Sequence, residues 1–114
     1  MNMDTIKLNN GVGMPQLGYG VFQVSPVEAE RCVADALSVG YRMIDTAQAY
    51  QNEEGVGTAI RKSGIKRENV FLVDKVWMGN YEDDAAARSI DESLRKLGTD
   101  YIDLMLLHQP FGDR

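Results

Sequence analysis

Hydrophobic residues along the chain follow two spacings, one typical of short strands and one typical of amphipathic helices. Residues 5–17 form two short alternating segments around Asn10-Gly11, a dipeptide that readily takes the positive φ angles of a tight turn, and they predict a β-hairpin. A capping box at residues 25–28 then predicts a helix that ends at Gly40. We expect one face of this helix to be buried. Its apolar stripe comprises Ala29, Cys32, Val33, Ala36 and Leu37.

The pairing of an apolar strand with a helix recurs along the rest of the chain. A short strand at 41–45 precedes a helix that begins after Asn52 and ends at Gly64. A β-branched strand at 70–73 precedes a helix over about 82–98. The stripe of that helix comprises Ala87, Ile90, Leu94 and Leu97, and residues 102–107 form the last strand. Strands that alternate with helices of this length imply βαβ crossovers and a parallel sheet.

The length of each unit indicates which parallel fold this is. The strands end near Gly20, Asp45, Lys75 and His108, so successive strand ends lie 25, 30 and 33 residues apart. A (βα)8 barrel of about 250 residues uses roughly 31 residues for each unit. The predicted fold class is therefore α/β, of the (β/α)8 TIM-barrel type. The chain holds a hairpin, three strand–helix units and a fourth strand, which is close to the N-terminal half of such a barrel.

Composition narrows the class of protein. The chain has 114 residues, with 17 acidic and 12 basic side chains and a net charge of −5, so we expect one globular domain that binds neither nucleic acid nor an anionic membrane. We divide residues 1–114 into a hairpin at 1–17 and βα units at 18–114. A single cysteine, Cys32, and a single histidine exclude an internal disulfide and a Cys/His zinc site. Without a signal sequence or a long apolar run, we expect a cytoplasmic protein.

Three successive strands end in ionisable side chains. In parallel α/β folds the ligand site lies beyond the carboxyl ends of the strands, which places Asp45, Lys75 and His108 on one rim. Tyr50 follows in a loop able to fold back over that rim, where its phenol would meet the lysine ammonium. Each of these residues alone is typical of an ordinary structural role. Only their joint placement on one rim indicates catalysis.

The four residues stand in strings that resemble the motifs of the aldo-keto reductase family. The strings are Asp-Thr-Ala-Gln-Ala-Tyr-Gln-Asn-Glu at 45–53, Lys-Val-Trp at 75–77 and Leu-Leu-His-Gln-Pro at 106–110. They match the family's motifs in type, order and spacing. The match covers the whole chain, including the hairpin that in the family closes the bottom of the barrel.

The resemblance implies NADPH-dependent reduction of aldehydes or ketones to alcohols, with NADP+ as the other product and no metal. It makes Tyr50 the proton donor, with Lys75 and Asp45 tuning it, and it makes His108 the group that orients the carbonyl. Elementary chemistry agrees with these roles, because hydride delivery builds negative charge on the carbonyl oxygen and a proton donor must meet it. A lysine cation beside the phenol stabilises the phenolate that remains.

The resemblance also assigns ligand contacts. It implies that most of the contacts to the cofactor come from strands five to eight of the barrel, which would leave this chain without most of the cofactor site. Whether the chain is active or inactive on its own stays open at this point. Cofactor contacts on the nicotinamide-ribose side are expected from Gly20, Val21, Phe22 and Asp45. Substrate contacts are expected from Phe22, Tyr50, Trp77 and His108.

Three positions depart from the family pattern. Phe22 and Gln109 stand where tryptophan is often found, which affects the choice of substrate. Asp74 stands where the resemblance leads us to expect threonine or serine. Strand alternation points Asp74 away from Lys75 and towards the helix layer, where an unpaired carboxylate is costly.

Two classes of function remain open at this point. The first is an aldo-keto reductase, and the second is a non-catalytic fragment or interaction module that uses the open edge of the strand at 102–107. We expect this edge to be covered by self-association, by a complementary C-terminal half or by more of a larger polypeptide, and the end at 111–114 favours truncation or cleavage. Another barrel enzyme, such as an isomerase, fits the fold but leaves the ordered motifs unexplained.

Overall fold

A β-hairpin precedes the parallel sheet. In the computed structural model, which describes residues 4–108, strand β1 (Thr5–Lys7) pairs in antiparallel fashion with β2 (Gly13–Pro15). Gly11 lies in the turn with φ of +86°, in the left-handed region that glycine adopts at little cost. The Asn10 side chain accepts a hydrogen bond from the Val12 N–H at 3.0 Å. The hairpin predicted around Asn10-Gly11 is therefore confirmed.

Within residues 4–108, four parallel strands alternate with three α-helices. In chain order these elements are β3 (Tyr19–Gly20), α1 (Pro26–Ser38), β4 (Met43–Asp45), α2 (Glu53–Lys62), β5 (Phe71–Val76), α3 (Asp83–Leu97) and β6 (Leu104–Leu107). The sheet order is β3-β4-β5-β6, and each neighbouring pair is parallel. Strands in sequential order, joined by helical crossovers, form consecutive units of a TIM barrel.

Local sequence signals set the ends of the helices. The Ser25 hydroxyl accepts a hydrogen bond from the Glu28 N–H at 3.3 Å, and Pro26 occupies the first helical turn, as the capping box predicts. Gly98 takes φ of +66° directly after α3, and its N–H donates to the Leu94 and Arg95 carbonyls. Both ends therefore lie where the sequence indicates.

The hydrophobic core lies between the strands and the inner faces of the helices. Its centre is formed by β4 with α1 and α2, where several side chains have no exposed surface. The core cluster comprises Val21, Val33, Leu37, Ile44, Val56, Ala59, Ile60, Val70, Leu72 and Leu97. This packing makes the strands a fixed base for the loops that follow their carboxyl ends.

Two predictions of burial need correction. On α3 the buried residues are Ser93 and Leu97, whereas Ala87 is exposed, so the buried stripe is rotated from the predicted one. The Leu94 side chain is only half-buried. Cys32 is also half-buried rather than in the core, because it lies at the margin of α1 beside Tyr19. Periodicity gave an apolar stripe in each helix, but the neighbouring elements decide how much of it is covered.

Helices α2 and α3 approach each other through a glycine. A Cβ atom at Gly57 would overlap the carbonyl group of Leu97, so no larger residue fits without movement of one helix. The same carbonyl oxygen accepts a hydrogen bond from Arg61 Nη1 at 2.7 Å. The C-terminal end of α3 is thus held directly against α2.

The last strand is shorter than predicted. It begins at Leu104 rather than at Ile102, because the Asp103 carboxylate, not a strand carbonyl, accepts the hydrogen bond from the Leu72 N–H. Among the described residues β6 pairs only with β5, and Leu106 and Leu107 are 42% and 59% exposed. The expected open edge is present in residues 4–108.

Candidate active site

The carboxyl ends of β4 and β5 bring an ion pair to one rim of the sheet. Lys75 Nζ donates a hydrogen bond to Asp45 Oδ1 and a second one, of 3.0 Å, to the Thr46 carbonyl. The Lys75 side chain is 15% exposed and the Asp45 side chain 42% exposed. The ammonium is therefore largely shielded from water and fixed by two acceptors, while one side of the carboxylate faces the open rim.

Tyr50 returns to the rim through a tight turn. Residues 48–50 form one turn of 3-10 helix, and Gln51 then takes φ of +58°, in the left-handed region, before α2 begins. The Tyr50 ring centroid lies 5.2 Å from Lys75 Nζ and 5.3 Å from the Phe22 ring centroid. The structure therefore brings the phenol ring beside the lysine ammonium.

His108 follows β6 and completes the group. Its ring lies 5.6 Å from the Tyr50 ring, edge to face, and 5.9 Å from the Trp77 ring. Its backbone is held on both sides, because its N–H donates to the Val76 carbonyl at 3.0 Å and its own carbonyl accepts from the Tyr81 hydroxyl. All four residues predicted for catalysis lie together on this rim.

The residues predicted to contact a cofactor or substrate differ in how much surface they expose at the rim. Phe22 is 66% exposed beside Tyr50, and Trp77 is exposed next to His108, so both offer aromatic surface at the rim. Gly20 lies opposite Asp45 in the sheet register, with open space where a Cβ would be. Val21 needs a correction: the whole residue is buried in the core, and its N–H and carbonyl are bonded to Asp45, Val24 and Asn52, so it exposes no surface at the rim. Gln109 lies outside the described residues.

Asn52 supports the rim from below, a role that the sequence analysis did not assign. This buried amide accepts a hydrogen bond from the Thr46 hydroxyl at 2.7 Å. It donates to the Val21 and Val24 carbonyls at 3.1 and 3.0 Å. One side chain therefore ties the loop after β3 to the residue that follows Asp45. Its place in the string at 45–53 was the available signal.

Gln48 supports the rim from the side, and it was also missed. Its amide oxygen accepts hydrogen bonds from the Trp77 N–H at 2.9 Å and from Asn80 Nδ2 at 3.1 Å. Its amide nitrogen donates to the hydroxyls of Ser89 and Ser93 on α3. Gln48 thus couples the turn that carries Tyr50 to the loop after β5 and to α3.

Asp74 lies on the opposite side of β5 from the Lys75 side chain, as strand alternation predicts. It is completely buried next to Glu53 in the first turn of α2, and its Oδ1 accepts the Lys75 backbone N–H at 2.8 Å. Burial raises the pKa of Asp74 to about 9, and the adjacent Glu53 carboxyl adds to the increase. Burial at this position therefore favours the neutral form of the Asp74 carboxyl group.

Other kinds of site have no support in the part of the chain that the structure describes. No group of three or more His, Cys, Asp or Glu side chains there is arranged to hold a metal ion. A cavity of about 760 Å³ lies between the C-terminal parts of α2 and α3, away from the rim. None of the described helices is long and apolar enough to cross a membrane.

Comparison with known proteins gives consistent matches. The model of the aldo/keto reductase family matches residues 11–114. A morphine 6-dehydrogenase of Pseudomonas putida is 51% identical over 108 residues, which cover 95% of this chain and 36% of that protein. A methylglyoxal reductase of Escherichia coli is 48% identical over 109 residues, which cover 96% of this chain and 39% of that protein. The chain therefore spans about two-fifths of the length of these curated relatives.

A solved structure agrees with the sequence matches. The crystal structure of an aldo/keto reductase from Brucella melitensis matches with a TM-score of 0.92 and 51% sequence identity. The match covers 96% of this chain and 44% of that chain. The predicted fold class, α/β of the TIM-barrel type, is thereby confirmed, and the described residues form part of a barrel.

Proposed function

The chain belongs to the aldo/keto reductase family, and we propose that its rim supplies the proton in NADPH-dependent reduction of aldehydes and ketones to alcohols. The relatives reported above are named as a dehydrogenase and a reductase, so oxidoreductase chemistry is the class of activity. The whole protein's substrates belong to this proposal, since the chain spans only part of those relatives. One observation carries it: the Tyr50 ring lies 5.2 Å from the Lys75 ammonium and 5.6 Å from the His108 imidazole.

In the proposed mechanism Tyr50 donates its hydroxyl proton to the carbonyl oxygen as negative charge develops there. The Lys75 cation, 5.2 Å from the centre of the tyrosine ring, stabilises the phenolate that remains. Asp45 keeps that cation charged and in place through the ion pair. Together these three residues thus transfer one proton to the carbonyl oxygen of the substrate.

His108 has a different part in the proposed mechanism. Its imidazole lies edge-on to the Tyr50 ring, so both groups border the space where a carbonyl oxygen would be bound. A ring N–H directed into that space would donate a second hydrogen bond to the oxygen. Tyr81 supports this orientation by its hydrogen bond to the His108 carbonyl.

The rim also fits one side of a nicotinamide cofactor. The open space at Gly20, opposite Asp45, leaves room for a flat ring to approach the backbone, and Phe22 borders it. We propose that Gly20, Phe22 and Asp45 contact the nicotinamide-ribose part. When bound, NADPH supplies the hydride. The exposed Phe22 and Trp77 rings favour a carbonyl substrate with apolar surface.

The first test is a titration of the 114-residue chain with NADPH, followed by cofactor fluorescence, with NADH for comparison. Saturable binding should then be accompanied by NADPH oxidation when methylglyoxal is added, since a relative is named for that substrate. The Tyr50→Phe variant should turn over at least about 100-fold more slowly, because it removes the proton donor but keeps the ring.

Tyr101→Phe is the matched control for this experiment. Tyr101 lies at the other end of the sheet, where its ring stacks on Arg67 at 4.0 Å, so its hydroxyl has no part in the proposed chemistry. Its variant should keep the full rate. If Tyr50→Phe also kept the full rate, the proposed proton donor would be wrong.

A second candidate function is supported by the edge of β6. Leu106 and Leu107 are exposed there, next to backbone groups that have no strand partner among the described residues. We propose that this edge is covered by a second copy of the chain or by a complementary C-terminal half. Concentration-dependent dimerisation without NADPH binding, measured by sedimentation velocity, would favour an interaction module over an enzyme.

A further inference from the structure

Two buried carboxyl groups beneath the rim each leave one oxygen atom without a hydrogen-bond donor. These atoms are Glu53 Oε2 and Asp74 Oδ2, and together with His108 Nδ1 they are the buried side-chain polar atoms in residues 4–108 that lack a partner. Glu53 is 3% exposed and Asp74 0% exposed. An unpaired acceptor at such a depth is costly, so the pair needs an explanation.

Each carboxyl group accounts for the unpaired oxygen atom of the other. They lie within hydrogen-bonding distance, Glu53 on α2 and Asp74 on β5. Two oxygen acceptors cannot bond to each other without a hydrogen, but one proton placed between them satisfies both. Two negative charges at this depth would repel each other without solvent to screen them. The geometry therefore requires one proton for two carboxyl groups.

The positions of Glu53 and Asp74 indicate where the shared proton is held. Glu53 lies in the first turn of α2, where the N-terminal end of the helix favours a negative side chain. Asp74 lies in the middle of the sheet, between the β4 and β6 neighbours of its strand. Burial together with the neighbouring carboxyl raises the pKa of Asp74, in agreement with Asp74 as the protonated partner.

The pair connects to Lys75 through the backbone. Asp74 Oδ1 accepts the Lys75 N–H at 2.8 Å, while Asp74 Oδ2 has no hydrogen-bond donor. On the other side of the strand, the Lys75 ammonium is held by Asp45 and by the Thr46 carbonyl. The residue that carries the ammonium is therefore anchored from both sides of β5, once through its side chain and once through its N–H.

We infer that Glu53 and Asp74 share a single proton at neutral pH and act together as positioning residues for Lys75. The inference rests on the proposed function only for the task given to Lys75. The shared proton joins the first turn of α2 to β5 at the height of the rim. Its loss at alkaline pH leaves two adjacent buried negative charges that repel each other, which weakens the link between α2 and β5.

Other charged groups lie near the Glu53–Asp74 pair. On β5 the neighbouring charge is Lys75, and on α3 the Glu92 and Lys96 side chains border the polar cavity of about 460 Å³ that Glu53 also lines. The folded chain keeps a proton that the unfolded chain has already lost above the usual carboxyl range. Stability should therefore fall as the pH rises from that range towards about 9, where the folded chain loses the proton as well.

Two variants distinguish the effect of the shared proton from the effect of the hydrogen bond between Asp74 and the Lys75 N–H. Asp74→Asn keeps an acceptor for the Lys75 N–H and gives Glu53 an N–H donor, but it cannot ionise. Asp74→Ala removes both contacts. Asp91→Asn is the matched control, because Asp91 is an exposed carboxylate on α3. All are compared as the full 114-residue chain.

The first measurement is the infrared spectrum in D2O at neutral pH. The parent chain and Asp91→Asn should show the carbonyl stretch of one protonated carboxyl group, and both Asp74 variants should lack it. Urea unfolding across pH 6 to 10 should show a decline in stability in the parent and a flat profile in Asp74→Asn. Absence of the band in the parent, or its persistence in Asp74→Asn, would overturn the shared proton.

The second measurement follows Lys75 by nitrogen-15 NMR of its side-chain ammonium. The signal should be the same in the parent and in Asp74→Asn but shifted or broadened in Asp74→Ala. An unchanged signal in Asp74→Ala would overturn the positioning role. If Asp74→Ala does not fold, Asp74→Ser takes its place, with a hydroxyl too short to reach both partners. None of these signals requires turnover. Failure of the proposed function, which the Tyr50→Phe variant detects, can therefore be told apart from failure of the shared-proton inference.

Discussion

The region formed by α1, β4 and α2 and the region formed by α3 and β6 differ in how completely they are buried. In the first region, Val33 of α1, Ile44 of β4 and Val56 of α2 have no exposed surface. In the second region, α3 has two buried residues and β6 has none. The difference follows from neighbours, because β4 has a strand on each side whereas β6 has one among the described residues. An element of this fold is buried only where other elements pack on both sides of it.

The largest test of this comparison is Ile44→Ala. Removing this completely buried side chain from β4 should lower the free energy of unfolding by about 3 to 4 kcal/mol, because it costs both burial and a cavity. Urea unfolding followed by circular dichroism measures the loss. Leu107→Ala, on the exposed strand, should cost less than about 1 kcal/mol by comparison. Equal losses of stability at Ile44 and Leu107 would contradict the difference in burial between the two regions.

A smaller effect is expected from Asn52→Ala, which removes a polar contact within the well-buried region. The Val21 and Val24 carbonyls and the Thr46 hydroxyl would lose a partner, so we expect a loss of about 2 to 3 kcal/mol. The same urea titration measures it. Asn69→Ala, at an exposed asparagine, is the control and should change stability by less than about 0.5 kcal/mol. A loss no greater than the control's would mean that the hydrogen bonds of Asn52 do not hold the loop.

The smallest effect on stability is expected at the edge itself. Leu107→Lys places a charge on an exposed position of β6, so the free energy of unfolding should change by less than about 0.5 kcal/mol. Association of the chain at high concentration should decrease, because a charged edge strand resists pairing. Sedimentation velocity over a range of concentrations measures this. A large loss of stability instead would show that Leu107 is covered in solution.

Much of the fold could be predicted from the sequence, because turn and cap signals act locally. Asn10-Gly11, the capping box at 25–28 and Gly98 each fix a turn or helix end through their own backbone preferences. The orientation of α3 could not be predicted in the same way. Ala87 is exposed and Ser93 buried because the neighbouring elements select which part of the apolar stripe is covered.

The candidate site could be predicted only in part. Strand ends have a regular spacing, so the meeting of Asp45, Lys75 and His108 on one rim was predictable, and so was Tyr50 in the loop that follows. The supporting hydrogen bonds of Gln48, Asn52 and Glu53 were not predictable. They join segments far apart in the sequence, and no periodicity marks a side chain that bonds to a distant partner.

Gly57 shows how a position in the helix layer can limit the placement of the rim. It lies where α2 meets the end of α3, and it takes no part in the proposed chemistry. Yet a single methyl group there would push against the Leu97 carbonyl at the end of α3, and α3 carries Ser93, to which the turn with Tyr50 is bonded through Gln48. A larger residue at Gly57 would therefore need a second, compensating change where the two helices meet.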